Sequence, residues 1–296
     1  MTQPSIRAPR RQSGFTVVEL MVSLVVGFAV VGALLAAYMA SFRGSRHNDA
    51  MVQMAEDATL ALNVMRAQTA MAGYSAVYGV DPAAGLKVHP FAATPVFGCA
   101  GSQFGDLTRD ITTAVPCSAT ADASDTLEVA YEASNDSKGS NDILGSGAAA
   151  NVPLDCLGNS IPARSDGLAA AWYLNDSKFY VLNGALYCHA AGAAPGAPLV
   201  DHVEKLKVTY GLSDGTANNQ IVTYAPAPVN TSADWKRLVA VTICIEVRSA
   251  EKVLDQTNAA SLSTYVDCAG TRQTTRTDGF LRRSFATTVV LQNRLL

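Results

Sequence analysis

The spacing of apolar and polar positions divides the chain into three stretches. From Phe15 to Phe42 the sequence FTVVELMVSLVVGFAVVGALLAAYMASF is apolar on every side and carries a single charge, Glu19. Its 28 residues, at about 1.5 Å each, make roughly 42 Å of helix, more than the ~30 Å of a bilayer core. A secretory signal has a shorter apolar region and a small-residue cleavage site, and none follows here. The pattern predicts a membrane-spanning helix. From residue 43 onward the pattern turns amphipathic. Met51, Met54, Ala58, Leu62, Met65 and Ala72 keep to one helical face, while Gln53, Glu56, Asp57, Asn63 and Arg66 take others. The helix is expected to continue to Gly73, a residue suited to ending it, with its Met-rich stripe packed against a sheet.

Beyond Tyr74 the period shortens. Thr126–Tyr131, Lys178–Leu182, Ala185–His189, Val203–Tyr210, Leu238–Arg248 and Phe285–Leu291 read as strands by their β-branched and aromatic content. Asn183-Gly184, between YVL and ALY, is a two-residue hairpin signal. Segments around 139–151, 190–198 and 213–234 read as loops, and no internal repeat is evident. The expected fold class is α+β: one long N-terminal helix, then a mostly antiparallel β-sheet head with long loops.

Charge and cysteine content then narrow the setting. A formal net charge of −3 gives no electrostatic footprint for nucleic acid, and no basic patch interleaves with the aromatic residues, so direct nucleic-acid binding is not expected. Arg7, Arg10 and Arg11 precede the apolar run and favour a cytoplasmic N-terminus, with the remainder outside; Arg43 and Arg46 reduce that asymmetry. All six cysteines, Cys99, Cys117, Cys156, Cys188, Cys244 and Cys268, lie after the run and lack zinc-ligand spacing. They are expected to form disulfides in an oxidising compartment. Six cysteines allow 15 pairings and the sequence does not choose among them; joining neighbours along the chain would close the shortest loops.

Candidate chemistry is sparse. GLSDG (211–215) matches a nucleophile-elbow spacing with Ser213 as the nucleophile, but no helix pattern and no histidine follows it, so a hairpin loop is the better account. SNDSKGSND (134–142) is rich in oxygen ligands but lacks the ligand order of a calcium loop. His47, His89, His189 and His202 form no metal spacing. No catalytic residue, metal or cofactor is expected. The group that calls for explanation is Glu19, because an ionisable side chain within a membrane span costs at least ~2.5 kcal/mol and usually marks a function.

GFTVVELMVSL (14–24), after a short basic segment, resembles the type IV prepilin signature. The resemblance implies a leader over 1–14, cleavage between Gly14 and Phe15 by a prepilin peptidase, and N-methylation of Phe15. It also implies that Glu19 attracts the N-terminal amine of a neighbouring subunit during assembly. The organisation then reads as leader 1–14, helix 15–73 (transmembrane over 15–42, amphipathic over 43–73) and periplasmic head 74–296. Gly27 and Gly32 would serve either as permissive points where the membrane helix can unwind or as small residues for helix packing. NVMRAQTAMAGY (63–74), LVDHVEKLKVTYGLSDG (199–215), LVAVTICIEVRS (238–249) and RRSFATTVVLQNRL (282–295) resemble the blocks of PilW-type minor pilins. One departure is that no cysteine closely follows the MAGY-like element, the first being Cys99. This similarity implies a non-enzymatic role in starting type IV pili, in a tip priming complex. Its partners would be other minor pilins, the major pilin, the inner-membrane assembly platform, the prepilin peptidase and a large tip adhesin. It implies a single-pass inner-membrane protein with a cytoplasmic N-terminus, later incorporated into the fibre. The alternatives are a J-type minor pseudopilin of type II secretion and, from another class, a membrane-anchored periplasmic enzyme or ligand-binding domain.

Overall fold

A computed structural model describes residues 14–82, 85–88, 95–108, 117–119, 124–133, 153–165, 172–190, 196–215, 220–227, 237–254, 264–274 and 278–294. The chain forms two compact units, 1–49 and 50–296, and the boundary falls inside a helix. That helix, α1 (Val17–Met71), runs without interruption through both. It starts two residues after Phe15 and ends two before Gly73. In the first unit all of its residues but the half-buried His47 are exposed, and with an 18-residue window of mean hydropathy 2.6 the helix is long and apolar enough to cross a membrane. Gly27 and Gly32 have nothing within 4 Å of where a Cβ would lie.

In the second unit α1 buries one face. Met54, Ala58, Ala61, Val64, Met65, Gln68, Thr69 and Ala72 are buried, whereas Gln53, Glu56, Asn63 and Arg66 are exposed. The stripe thus lies slightly to one side of its expected course: Met51 and Leu62 are only half-buried, and the polar pair Gln68 and Thr69 lies inside. The helix stops where Gly73 adopts φ +79°, a conformation that other residues rarely take, and its N–H donates to Ala130 O at 3.0 Å.

Two antiparallel sheets build the head. The first orders β10 (Ala197–Asp201), β9 (Ala185–Ala190), β8 (Trp172–Leu182), β6 (Leu127–Ala133) and β3 (Val96–Phe97), with the short β7 (Ala163–Arg164) also on β8. The second orders β12 (Ile221–Ala225), β11 (Val203–Ser213), β13 (Leu238–Arg248) and β16 (Arg282–Val290). Three two-stranded ribbons complete the described residues: β1 (Val77–Asp81) with β2 (Gly85–Val88), β4 (Ser102–Phe104) with β5 (Cys117–Ala119), and β14 (Tyr265–Val266) with β15 (Arg272–Gln273). The architecture is α+β, with a long apolar N-terminal helix ahead of antiparallel sheets.

Strand alternation places the core. In the second sheet Val241, Ile243, Ile245 and Val247 of β13 point inward with Leu206, Val208 and Tyr210 of β11, and all are buried. In the first sheet Leu127, Val129, Tyr131, Phe179 and Leu186 face the same core as α1. Asn183 and Gly184 adopt φ 52° and 75°, the paired left-handed turn that closes β8 onto β9 with Leu182 opposite Ala185. The segment read as loop over 213–234 contains β12, which folds back along β11. Ser213 of the GLSDG motif therefore sits at a hairpin, opposite Ile221. SNDSKGSND lies outside the described residues.

Candidate assembly site

The site expected from the sequence lies at the start of α1. Thr16 caps the helix: its carbonyl accepts from Leu20 N–H at 3.1 Å, and its hydroxyl accepts from Glu19 N–H at 3.2 Å. Thr16-Val-Val-Glu19 has the spacing of a capping box, in which a hydroxyl and a carboxylate divide the unpaired N–H groups of a first turn between them. Glu19 thus stands in the first turn, where the helix dipole also favours negative charge. Ser23 Oγ donates to Glu19 O at 2.7 Å, one turn further on. Gly14 and Phe15 precede the cap outside the helix and are exposed, Phe15 at 82%. Cap, carboxylate and the Gly14-Phe15 junction therefore lie within six consecutive residues. The sequence reading passed over Thr16, although hydroxyl-x-x-carboxylate spacing before an apolar run signals it.

The arrangement can do one thing well. A carboxylate fixed at a helix start can hold a cation, and a free amine at residue 15 would put a cation on the same end of each copy. In a lipid environment such charges are far less costly together than apart.

The structure pairs all six cysteines: Cys99 with Cys117, Cys156 with Cys188, and Cys244 with Cys268, at Cα separations of 5.7, 6.4 and 5.7 Å. These are neighbours along the chain. In each bridge one half lies in a strand and the other opens a turn, and the turns share a pattern the sequence reading missed. Asp155-Cys156-Leu-Gly158 and Asp267-Cys268-Ala-Gly270 fold alike. In each the aspartate Oδ1 accepts from the N–H groups two and four residues on, at 2.8–2.9 Å, and the glycine sits at φ +78° or +79°. Burial is the largest single influence on the Asp267 carboxyl and raises its pKa, but hydrogen bonds from Thr271, Gln273 and Ala269, with Lys205 nearby, together outweigh it and hold the carboxyl below its usual range. Cys99-Ala-Gly101 repeats the glycine, at φ +58°, but takes its carboxylate from Asp125, which accepts Gly101 N–H at 2.7 Å.

Among the described residues the remaining candidates lie apart from one another. Ser213 is buried and its hydroxyl accepts from Gly215 N–H at 3.3 Å, closing the turn. His47 lies on α1, His189 on β9, and His202 at φ 64° in the tight turn between β10 and β11. His89 is outside the described residues. Among the described residues no group of His, Cys, Asp and Glu is arranged to hold a metal.

Comparison with known proteins places these features. The family described as Prokaryotic N-terminal methylation motif matches residues 9–35, which include Gly14, Phe15 and Glu19. The family described as Type IV Pilus-assembly protein W matches residues 172–293, from the start of β8 to the short turn after β16. No curated protein is significantly similar in sequence. A type IV-like pilin from Thermus thermophilus is among the similar solved structures, with 15% identity, 81% of this chain and 96% of that chain covered, and a TM-score of 0.41. A methylation-type leader on a membrane-length helix, joined to a PilW match across the second half of the head, makes this chain similar to type IV pilus minor pilins of the PilW type.

Proposed function

We propose that this chain is a PilW-type minor pilin that helps to start type IV pilus assembly, as part of a priming complex of minor pilins that remains at the fibre tip. The observation that carries the reading is the PilW match on the chain that also bears the leader, since the leader by itself fits any pilin or pseudopilin. Peptidase cleavage between Gly14 and Phe15 frees the Phe15 amine, which is then methylated. The apolar helix holds the subunit in the inner membrane, N-terminus cytoplasmic and head periplasmic, until extraction into the growing fibre. Glu19 meets the amine of a neighbouring subunit and so favours one axial register. The other minor pilins, the major pilin, the assembly platform and a large tip adhesin are the partners. The role is mechanical rather than enzymatic.

Surface piliation in deletion, Glu19→Gln and wild-type strains at matched protein levels tests this. The deletion is expected to lose most pili. Glu19→Gln, which retains hydrogen bonding but not charge, is expected to show a graded defect, because a subunit at the very tip has no earlier neighbour to register against. Normal piliation in the deletion strain removes the assembly role; a secretion defect alongside it would favour a pseudopilin. Mass spectrometry of membrane-extracted protein should find N-methyl-Phe15 as the first residue, and an intact Met1 start in a peptidase-positive strain would refute the processing.

A further inference from the structure

The apolar run is longer than the layer it must cross. Phe15 to Phe42 is 28 residues, about 42 Å of helix, whereas the hydrocarbon of a bilayer is about 30 Å thick. Some eight residues, at about 1.5 Å each, must therefore lie outside the hydrocarbon, and hydropathy does not say at which end. One face of α1 marks the end that leads to the head. Tyr38, Phe42 and Arg46 follow one another at four-residue intervals and so share that face. The rings of Tyr38 and Phe42 stack, with centroids 6.4 Å apart and planes inclined by 16°. The Arg46 guanidinium stands over the Phe42 ring, 6.0 Å from its centroid. All three side chains are exposed. Directly after Phe42 the helix turns polar, through Arg43, Ser45 and Arg46 to His47, Asn48 and Asp49. At the other end Glu19 is the only charge of the run, one turn after Phe15.

We propose that Tyr38, Phe42 and Arg46 anchor α1 in the headgroup layer of a phospholipid bilayer, at a depth that leaves Glu19 at the opposite boundary rather than in the hydrocarbon. This rests on the reading of α1 as a membrane span and on nothing about pilus assembly. Between the two markers, residues 20–37 are 18 uncharged positions, about 27 Å of helix, close to the hydrocarbon thickness. Residues 15–19 and 38–42 each add about 7 Å, and the whole run then matches the roughly 40–45 Å of a bilayer with its headgroups. Tyrosine suits that layer, since its ring is apolar and its hydroxyl is not. A guanidinium held over the second ring fixes which end of the stack faces water. Other depths are unfavourable in both directions. Sliding the helix a turn toward the head takes Glu19 into hydrocarbon, and sliding it the other way brings Arg43 to the hydrocarbon edge. At the favoured depth the Glu19 carboxylate stays hydrated. Movement of the helix toward the head is what buries it, and only then does it need a partner cation.

The test is a depth map of the full chain reconstituted in phosphatidylcholine vesicles, read by single added cysteines. The six native cysteines are paired with one another and stay unreactive without reductant. Val17→Cys, Val25→Cys, Ala33→Cys, Ala37→Cys, Gly44→Cys and Ser45→Cys are made one at a time and offered a membrane-impermeant maleimide on both sides. The expected result is labelling at 17, 44 and 45 and protection at 25, 33 and 37. A labelled position 37, or a protected position 17, 44 or 45, places the helix at another depth and overturns the proposal. Labelling at all six positions would instead remove the membrane span itself. The anchor is tested separately by combining Tyr38→Leu and Phe42→Leu, which keeps the run apolar and removes both rings. In that background protection is expected to extend by about one turn, to position 44, with labelling at 45 reduced. If the double variant gives the wild-type map, the aromatic pair does not set the depth, and that role is refuted.

Discussion

The two sheets of the head solve the same problem differently. Each packs one face on a shared apolar core, but their other faces have opposite fates. On the second sheet that face meets water in part: Thr209 and Thr242 are half-buried, and Thr288 and Val290 are exposed. Its charged groups also reach solvent, as where Arg282 donates to both Glu204 and Asp278 at 2.6–2.8 Å and Asp278 is 42% exposed. On the first sheet every residue of β6 is buried, as is nearly all of β8, so both faces are covered. Its polar groups had to be satisfied inside. Where a second face is covered, stability comes to depend on a few buried polar contacts, and the penalty for losing one partner rises.

The sharpest way to break the contrast is Lys178→Ala. Removing it takes away the ammonium that Glu128 and Asp176 both contact, and losing one partner of a buried pair typically costs about 3–5 kcal/mol. Denaturant unfolding of the detergent-solubilised chain should show a loss of this size. A loss below about 1 kcal/mol would mean the outer face of the first sheet is wetter than its burial indicates.

A smaller effect is expected on the covered inner face, at Gln68. Its Oε1 accepts from Tyr131 Oη at 2.9 Å and from Asn175 Nδ2 at 2.7 Å, tying α1 to β6 and β8. Burial keeps the Tyr131 phenol protonated, with its acidity weakened despite the bond to Gln68. Gln68→Ala takes the acceptor from the buried Tyr131 hydroxyl and leaves the Asn175 amide only its bond to Ser177 Oγ, at a cost of about 1–3 kcal/mol. Asn175→Ala in the same background should then cost less than it does alone, which a double-mutant cycle measures.

This contrast also explains what the sequence could and could not say. β13 is legible to the residue, Leu238–Arg248, because its alternation is that of a strand with one open side. β8 is not: reading strand from Lys178 misses the six residues from Trp172 to Ser177, where Asn175, Asp176 and Ser177 look like a turn. Their polarity is absorbed by cross-strand and helix contacts, which no local pattern reveals. Gln68 and Thr69 were passed over for the same reason. The leader motif and the membrane helix depend on consecutive residues and so were readable in full. The paired Asp-Cys-x-Gly turns were readable in principle, but they are four residues long and separated by more than a hundred, too short to register as a repeat.

The next effect is set by pH. His189 is buried beside Lys178, and burial, with Lys178 adding to it and Asp176 and Asp106 opposing, lowers its pKa below the usual 6.5. Below 6.5 the unfolded chain binds a proton that the folded chain refuses, so stability present above that pH is lost as it falls toward the lowered folded value. Unfolding midpoints measured from pH 7.5 down to about pH 5 should decline, and His189→Leu should flatten the part of the slope that His189 supplies. The second sheet offers no equivalent histidine among its described strands. An unchanged slope in the variant would assign the decline to carboxylates instead.

The smallest effect belongs to the open face of the second sheet. Thr242 and Thr288 are register partners on β13 and β16, and their hydroxyls lie 2.9 Å apart. Thr242→Val keeps the β-branched shape that suits a strand and removes one hydroxyl of the pair. Water can reach Thr288, so its hydroxyl recovers a partner and pays little for the one it loses. The change is expected to stay within about 0.5 kcal/mol, the ordinary range for exposed positions. The informative comparison is with Ser177→Ala on β8, which also removes a hydroxyl but from a fully buried site where Asn175 Nδ2 donates to it at 3.0 Å. Ser177→Ala should cost more than Thr242→Val under the same conditions. If the two match, coverage of the second face is not what separates the sheets, and the cost of Lys178→Ala would then have to come from the ion pair alone.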